Sequence, residues 1–318
     1  MAPAAARRPP AAPPLAAVVG PTASGKSELA MALAARLPIE ILVADSRQVY
    51  RGMDIGTAKP TAADRAAVMH HLLDLADPDQ PFTVADWLAQ ARAMLPAVAM
   101  RGRLPLVVGG TGLYVSALVD GFDLAAQPWS PETGERLAAE LEADGLEPLA
   151  ARLERLDPTT ARRTDLRNPR RVLRAVERAE AGGAGQEPRA EPYPGRLAML
   201  GVARPREVLY RRIDERTADL FAAGLPGEVA ALLEAGFGAE LTPMTGHGYR
   251  EAARWLAGEW ALEEAVAVTA RRTRQYAKRQ LSWFRRDPRI VWLDARDAPT
   301  SQPEFVDRAV DVLLRLLG

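Results

Sequence analysis

The 318-residue chain has no cysteine and only three histidines, and its 41 basic and 41 acidic side chains cancel. Without cysteine there are no disulfides, thiolate metal sites or cysteine nucleophiles. The cancelled charge excludes a whole-molecule basic field, so a nucleic-acid surface would have to come from local clusters. Adjacent His70 and His71 would point to opposite faces of a strand, and His247 is remote in sequence, so structural roles are expected rather than a metal site. No apolar run reaches the ~20 residues of a membrane helix. The opening segment MAPAAARRPPAAPP is broken by five prolines and lacks the apolar core of a signal peptide, so residues 1–14 are expected to be a disordered tail.

The rest of the chain is ample for a core, with 48% hydrophobic residues overall. Leu15 to Val19 and Ile39 to Ala44 read as buried strands, with a helical period from Glu28 to Leu37 between them. His70 to Leu75 reads as a short strand. Thr83 to Met100 reads as a helix capped by Thr83, with Asp86 in an acidic variant of the capping box. Leu104 to Val108 reads as a parallel-type strand, followed by a helix over Thr111 to Val119. From Ser130 to about Ala181 the pattern is helical and charged. Gly182 to Pro194 reads as a loop, and Arg196 to Val202 as a strand returning to the sheet. Helices then dominate from Pro205 to about Arg285, and Arg289 to Leu293 and Glu304 to Leu317 close the chain as strand and helix. The alternation predicts an α/β fold, a P-loop NTPase-like parallel sheet flanked by helices. Residues 15–121 and 196–318 form its core, with an all-helical insertion over 122–195.

Gly20-Pro21-Thr22-Ala23-Ser24-Gly25-Lys26-Ser27 fits G-x-x-x-x-G-K-[ST] at every fixed position, after a strand and before a helix. Glycines let backbone N–H groups face phosphate oxygens, and the helix N-terminus adds positive potential. Lys26 would neutralise the distal phosphate, and Ser27 would offer a hydroxyl to Mg²⁺. On this motif alone a nucleoside kinase or an NTPase is the leading reading.

The segments beyond the loop resemble those of the tRNA dimethylallyltransferase family, bacterial type. The matching residues run from Asp45-Ser46-Arg47-Gln48-Val49-Tyr50 to Gly56-Thr57-Ala58-Lys59-Pro60. His70-His71-Leu72-Leu73-Asp74, Gly109-Gly110-Thr111-Gly112-Leu113-Tyr114, Gly248-Tyr249-Arg250-Glu251 and Thr273 to Gln280 (TRQYAKRQ) come after it in the family's order. The resemblance spans roughly residues 15 to 295. The Asp45 to Pro60 block is its most specific part. Thr245 and His247 depart from the family's more apolar pattern, and the absence of cysteine matches the members without a zinc finger.

The resemblance implies transfer of a dimethylallyl group from dimethylallyl diphosphate to the exocyclic amine of the tRNA adenosine 3′-adjacent to the anticodon. It implies Mg²⁺ as cofactor, the tRNA anticodon stem-loop as partner, and a cytoplasmic monomer with no membrane. Asp45 is implied as the base, with metal ligation or a helix cap as the alternative reading. Thr111 is implied to hold the adenosine and the substrate, with a helix N-cap as the alternative. Arg216 is implied to reach the diphosphate, whereas Arg211 and Arg212 read as solvated helix faces. The tRNA contacts implied are Asp45, Ser46, Arg47, Gln48, Thr111, Arg170, Arg171, Val172, Leu173 and Arg174, with Thr245, Gly246, His247, Gly248, Tyr249 and Arg250. Two clusters could grip the RNA backbone, Arg162 to Arg178 in the insertion and Arg271 to Arg286 near the C-terminus, with Tyr249, Tyr276 and Trp283 as stacking planes. The rivals are an isopentenyltransferase acting on free adenine nucleotides and a P-loop kinase of a small metabolite.

Overall fold

The computed structural model describes residues 12–122, 130–183 and 190–318. Residues 1–11, the bulk of the expected tail, lie outside that range. Pro13 is not loose, because its carbonyl accepts from the Tyr193 hydroxyl at 2.6 Å.

The chain packs as two compact units, Met1–Val119 with Tyr193–Gly318, and Asp120–Pro192. In the first, β1 (Leu15–Val19), α1 (Lys26–Ala34), β2 (Ile39–Ala44), α2 (Ala62–Ala67), β3 (His70–His71), α3 (Val84–Met100), β4 (Leu104–Gly109) and α4 (Gly112–Val119) follow in order. The helical unit holds α5 (Pro131–Asp144), α6 (Glu147–Leu156), α7 (Pro158–Arg163) and α8 (Pro169–Arg178). The chain then adds β5 (Leu197–Ala203), α9 (Arg206–Ala222), α10 (Leu225–Glu234), α11 (Tyr249–Leu256), α12 (Leu262–Phe284), β6 (Ile290–Asp294) and α13 (Pro303–Leu317) to the first unit.

The six strands order as β3-β2-β4-β1-β5-β6, and every pairing is parallel. Parallel strands buried on both faces read as continuous apolar runs, and LAAVV and IEILVA are such runs, wholly buried. One face of the sheet packs Val18, Ile41, Leu106 and Leu200 against Leu29 and Leu33 of α1 and Phe305 and Leu313 of α13. Trp87 of α3 is fully buried, donates its indole N–H to the Val43 carbonyl at 2.9 Å and stacks on Tyr114 of α4 at 4.8 Å. Both Thr83 at α3 and Thr61 at α2 close capping boxes with an Asp three residues on. The T-x-x-D at Thr61 is the same signal as that at Thr83, and it starts a short helix where no element was expected.

Strand β3 is shorter than the expected His70 to Leu75, because Leu72 and Asp74 take left-handed backbone, φ 68° and 56°. Both histidines have hydrogen-bond partners: His71 Nε2 meets Glu40 at 2.7 Å, and His70 Nδ1 meets the Val68 carbonyl at 2.8 Å.

The helical unit closes on Leu137, Leu149, Leu153, Val172 and Val176. Outside that core, Arg136 and Arg152 are bridged by Glu140 and Glu180.

Candidate active site

In an open parallel sheet, ligands bind beyond the carboxyl ends of the strands. Here β1, β2, β4 and β5 lie side by side and deliver the phosphate loop, Asp45, Gly110-Thr111 and Arg204 to one edge. Gly25 caps α1 at φ 98°, a backbone that glycine tolerates and side chains rarely adopt.

Two cavities open at this edge. The first, about 340 Å³, is lined by Lys26, Ser27 and Arg216 and by the apolar side chains Met31, Ile41, Val43 and Val108. The second, about 230 Å³, is lined by Ser46, Arg47, Thr245, Gly246, His247 and Tyr249. Thr22, Asp45, Thr57, Arg216 and Tyr276 line both. The two spaces therefore meet at one carboxylate and one guanidinium.

The electrostatics at that junction are cationic. Burial holds the Lys26 ammonium down to about 8, with the Arg216 charge pushing the same way and Asp45 opposing. Burial also lowers Arg216, and Asp45 again opposes. An anion entering here would find two poorly hydrated cations, whose attraction is stronger than it would be in water.

Asp45 is held by its own loop. Its Oδ1 accepts the Arg47 N–H at 2.9 Å and the Gln48 N–H at 3.4 Å, and the residue lines both cavities. The Thr111 hydroxyl accepts the Ser46 N–H at 3.0 Å. The Thr111 side chain also hydrogen-bonds Tyr276, which lines both cavities, so Thr111 ties the loop that carries Asp45 to the cavity wall. Gln48 donates its amide to the Thr57 and Ala58 carbonyls at 2.9 and 3.3 Å, so that donor pair is committed to the loop.

The long loop from Asp45 to Pro60 owes its shape to two anchors, one buried and one half-buried. Lys59 is 7% exposed and binds the Asp54 and Asp74 carboxylates and the Tyr50 carbonyl. Glu228 of α10 accepts the N–H groups of Asp54, Ile55 and Gly56 and the Tyr249 hydroxyl.

Several expectations change. Tyr249 is 2% exposed and tied to Glu228, so it braces the loop and offers no open face for stacking. The Val172 side chain is fully buried in the helical unit and so offers no surface to RNA, Leu173 is half-buried against the same core, and Arg170 and Arg171 on that helix are exposed. Arg174 pairs with Glu177 at 2.7 Å. Arg272 and Arg274 are spent on Glu251 and Asp214, which leaves Arg271, Lys278, Arg279, Arg285 and Arg286 exposed in the second cluster. Arg212 is no solvated face: its Nε donates to the Ala23 carbonyl of the phosphate loop at 3.1 Å. Gly248 is buried and donates its N–H to Glu251, while Arg250 is exposed and lines neither cavity.

Gln280 is a site residue that the sequence did not single out. It is 6% exposed, accepts the Thr22 N–H at 2.9 Å and donates to the Gly110 carbonyl at 2.8 Å, so α12 ties the phosphate loop to the loop after β4. The same contact explains Gly110, where a Cβ would meet the Gln280 amide at 2.1 Å.

Known proteins are similar to this chain in sequence and fold. The IPP transferase profile matches residues 48–287, and an isopentenyl transferase profile matches residues 13–74. A tRNA dimethylallyltransferase of Syntrophobacter fumaroxidans is 46% identical over 289 residues, covering 89% of this chain and 84% of the relative. One from Heliobacterium modesticaldum is 40% identical, covering 95% of each. Among solved structures, the full-length tRNA isopentenylpyrophosphate transferase of Bacillus halodurans matches with a TM-score of 0.70 at 38% identity, covering 95% of this chain and 97% of that one. A eukaryotic dimethylallyltransferase solved acting on tRNA shares the fold, with a TM-score of 0.75 at 24% identity, covering 93% of this chain and 77% of that one. The chain belongs to the IPP transferase family, alongside proteins named tRNA dimethylallyltransferase.

Proposed function

We infer that this protein transfers a dimethylallyl group from dimethylallyl diphosphate to the exocyclic amine of the adenosine 3′-adjacent to the anticodon in tRNA. The observation that carries the reading is the meeting of two cavities at Asp45 and Arg216. One cavity offers cations and then an apolar wall, as a diphosphate with a short hydrocarbon tail requires. The other mixes polar side chains (Ser46, Arg47, Thr245) with apolar and aromatic ones (Ile213, Leu220, Tyr276), as a base with a flat apolar face and a polar edge requires.

The reaction forms a bond between the adenine nitrogen and the allylic carbon as the bond from that carbon to the diphosphate oxygen breaks. The electron pair leaves with the diphosphate, which Lys26, Arg216 and the loop amides neutralise. The proton of the attacking amine passes to Asp45, which lines both cavities. Holding amine and carbon in line across the junction supplies the orientation.

Ser27 is exposed beside Lys26 and lines the first cavity. Among the described residues no group of three or more acidic, histidine or cysteine side chains could hold a metal alone. The Ser27 hydroxyl, in a cavity lined also by Asp45, would hold Mg²⁺, a cation that needs few protein ligands. Bound there, it would neutralise charge on the leaving group. The exposed Arg170 and Arg171 of the helical unit are the proposed grip on the RNA backbone.

The test is an acceptor comparison. The protein, Mg²⁺ and radiolabelled dimethylallyl diphosphate are incubated with unmodified tRNA, with AMP, or with ATP. Label in tRNA supports the reading. Label only in the free nucleotide would make the protein a small-molecule transferase. ATP consumption without transfer would return it to the kinases or NTPases.

A further inference from the structure

Behind the phosphate loop lies a cation that the transfer reaction does not use. Arg204, just past the end of β5, is 8% exposed. Its Nε donates to the Ser24 carbonyl at 2.7 Å and its Nη1 to the Arg296 carbonyl at 3.0 Å. Its Nη2 is buried with no hydrogen-bond partner among the described residues. Two backbone acceptors and no paired carboxylate leave a guanidinium that stays charged at any physiological pH. Burial and the neighbouring Arg212 both push its proton affinity down, while Glu28, Asp297 and Asp294 oppose them. A buried guanidinium with one nitrogen unpartnered is costly and is relieved by an anion nearby.

The contact also has a direction. In a trans peptide the C=O and the following N–H point opposite ways. Turning the Ser24 carbonyl to Arg204 aims the Gly25 N–H the other way, into the cup of the loop. The neighbouring peptides are gripped alike: Arg212 holds the Ala23 carbonyl, and the Thr300 hydroxyl holds the Gly25 carbonyl at 2.7 Å. Arg296 takes left-handed backbone, φ 48°, where it offers its carbonyl to Arg204. The segment after β6 thus braces the loop from outside through Arg204 and Thr300.

We propose that Arg204 is a positioning residue for the diphosphate: it fixes the Ser24 peptide so that the Gly25 N–H faces the anion, and it adds its own charge from behind. The proposal rests on the phosphate loop binding the donor's diphosphate. Its effect belongs to affinity for that anion and not to the RNA or to proton removal.

The experiment measures inorganic pyrophosphate binding by calorimetry and steady-state transfer to tRNA, for the wild type, Arg204→Met and Arg204→Lys. Arg204→Met, which loses charge and fork, is expected to weaken pyrophosphate binding and raise KM for dimethylallyl diphosphate by about ten-fold, with kcat falling less and tRNA affinity unmoved. Arg204→Lys keeps charge but loses the fork, and should fall between. A melting curve without ligand checks that each variant is folded. If the methionine variant does not fold, the lysine variant decides alone: a Kd for pyrophosphate at least about three-fold above wild type supports the role, and an unchanged one overturns it. Wild-type pyrophosphate affinity in a folded Arg204→Met, or a fall in kcat with KM unchanged, would also overturn it. A wild type that binds no pyrophosphate would instead refute the diphosphate reading of the loop.

Discussion

At the residue scale, the site is a matter of which atoms are already committed. Asp45 gives one oxygen to the amides of Arg47 and Gln48, so asparagine at this position would keep the loop and lose the base. Lys26 is poised differently. With its proton held at about 8, it is a cation at neutral pH and loses that charge as the pH rises further. The profile of kcat/KM for dimethylallyl diphosphate should therefore fall above pH ~8, because this ratio reports groups of the free enzyme. Lys26→Arg should move that limb to higher pH, and an unmoved limb would assign it to another group. Tyr249 is committed to Glu228, so Tyr249→Phe should cost about 1.5–3 kcal/mol of stability in a denaturant melt, as loss of a hydrogen bond to a charged acceptor does, with kcat little changed. The phosphate loop was legible in the sequence because its chemistry is local: glycines, lysine and serine act within one short segment. Arg204 and Arg212 were not, because their partners are backbone carbonyls 180 and 189 residues away, and no side-chain pattern announces a carbonyl.

At the scale of elements, α12 does more than its charge suggests. Arg272, Tyr276 and Gln280 recur every four residues on one face, and that face is turned to the site: Tyr276 lines both cavities and Gln280 spans two loops. The spacing was in the sequence, but composition led to a basic patch. A polar inward face is recognisable only once its buried partners are known. Gln280→Met should lower kcat, and its effect should be non-additive with Thr111→Ala, since Gln280 holds the Gly110 carbonyl next to Thr111. Simple additivity in the double-mutant cycle would mean that the two act separately. In α8 the alternation separates roles cleanly: Val172 faces the core, and Arg170 and Arg171 face solvent. Replacing either arginine with alanine should weaken tRNA binding and reduce the slope of its salt dependence by about one unit. An unchanged slope would remove that arginine from the RNA contact.

At the scale of the molecule, the alternation of apolar runs and helical periods was enough to predict a parallel α/β sheet, and six parallel strands are found. The order of the strands was not legible, since it depends on crossovers rather than on any one segment. Yet that order sets β1 between β4 and β5 and brings Asp45, Thr111 and Arg204 to the edge that carries the phosphate loop. A net charge of zero conceals the cations gathered there. Among the described residues no helix is long and apolar enough to cross a membrane.

The central claim is that Asp45 accepts the proton of the amine where the two cavities meet. It is tested most directly by the single-turnover rate of label transfer to tRNA, with enzyme and donor saturating, for wild type and Asp45→Asn, alongside the Kd for tRNA. The predicted result is a rate lower by about a hundred-fold or more, as for loss of a general base, with tRNA Kd nearly unchanged. A wild-type rate at saturation combined with weakened tRNA binding would contradict the account.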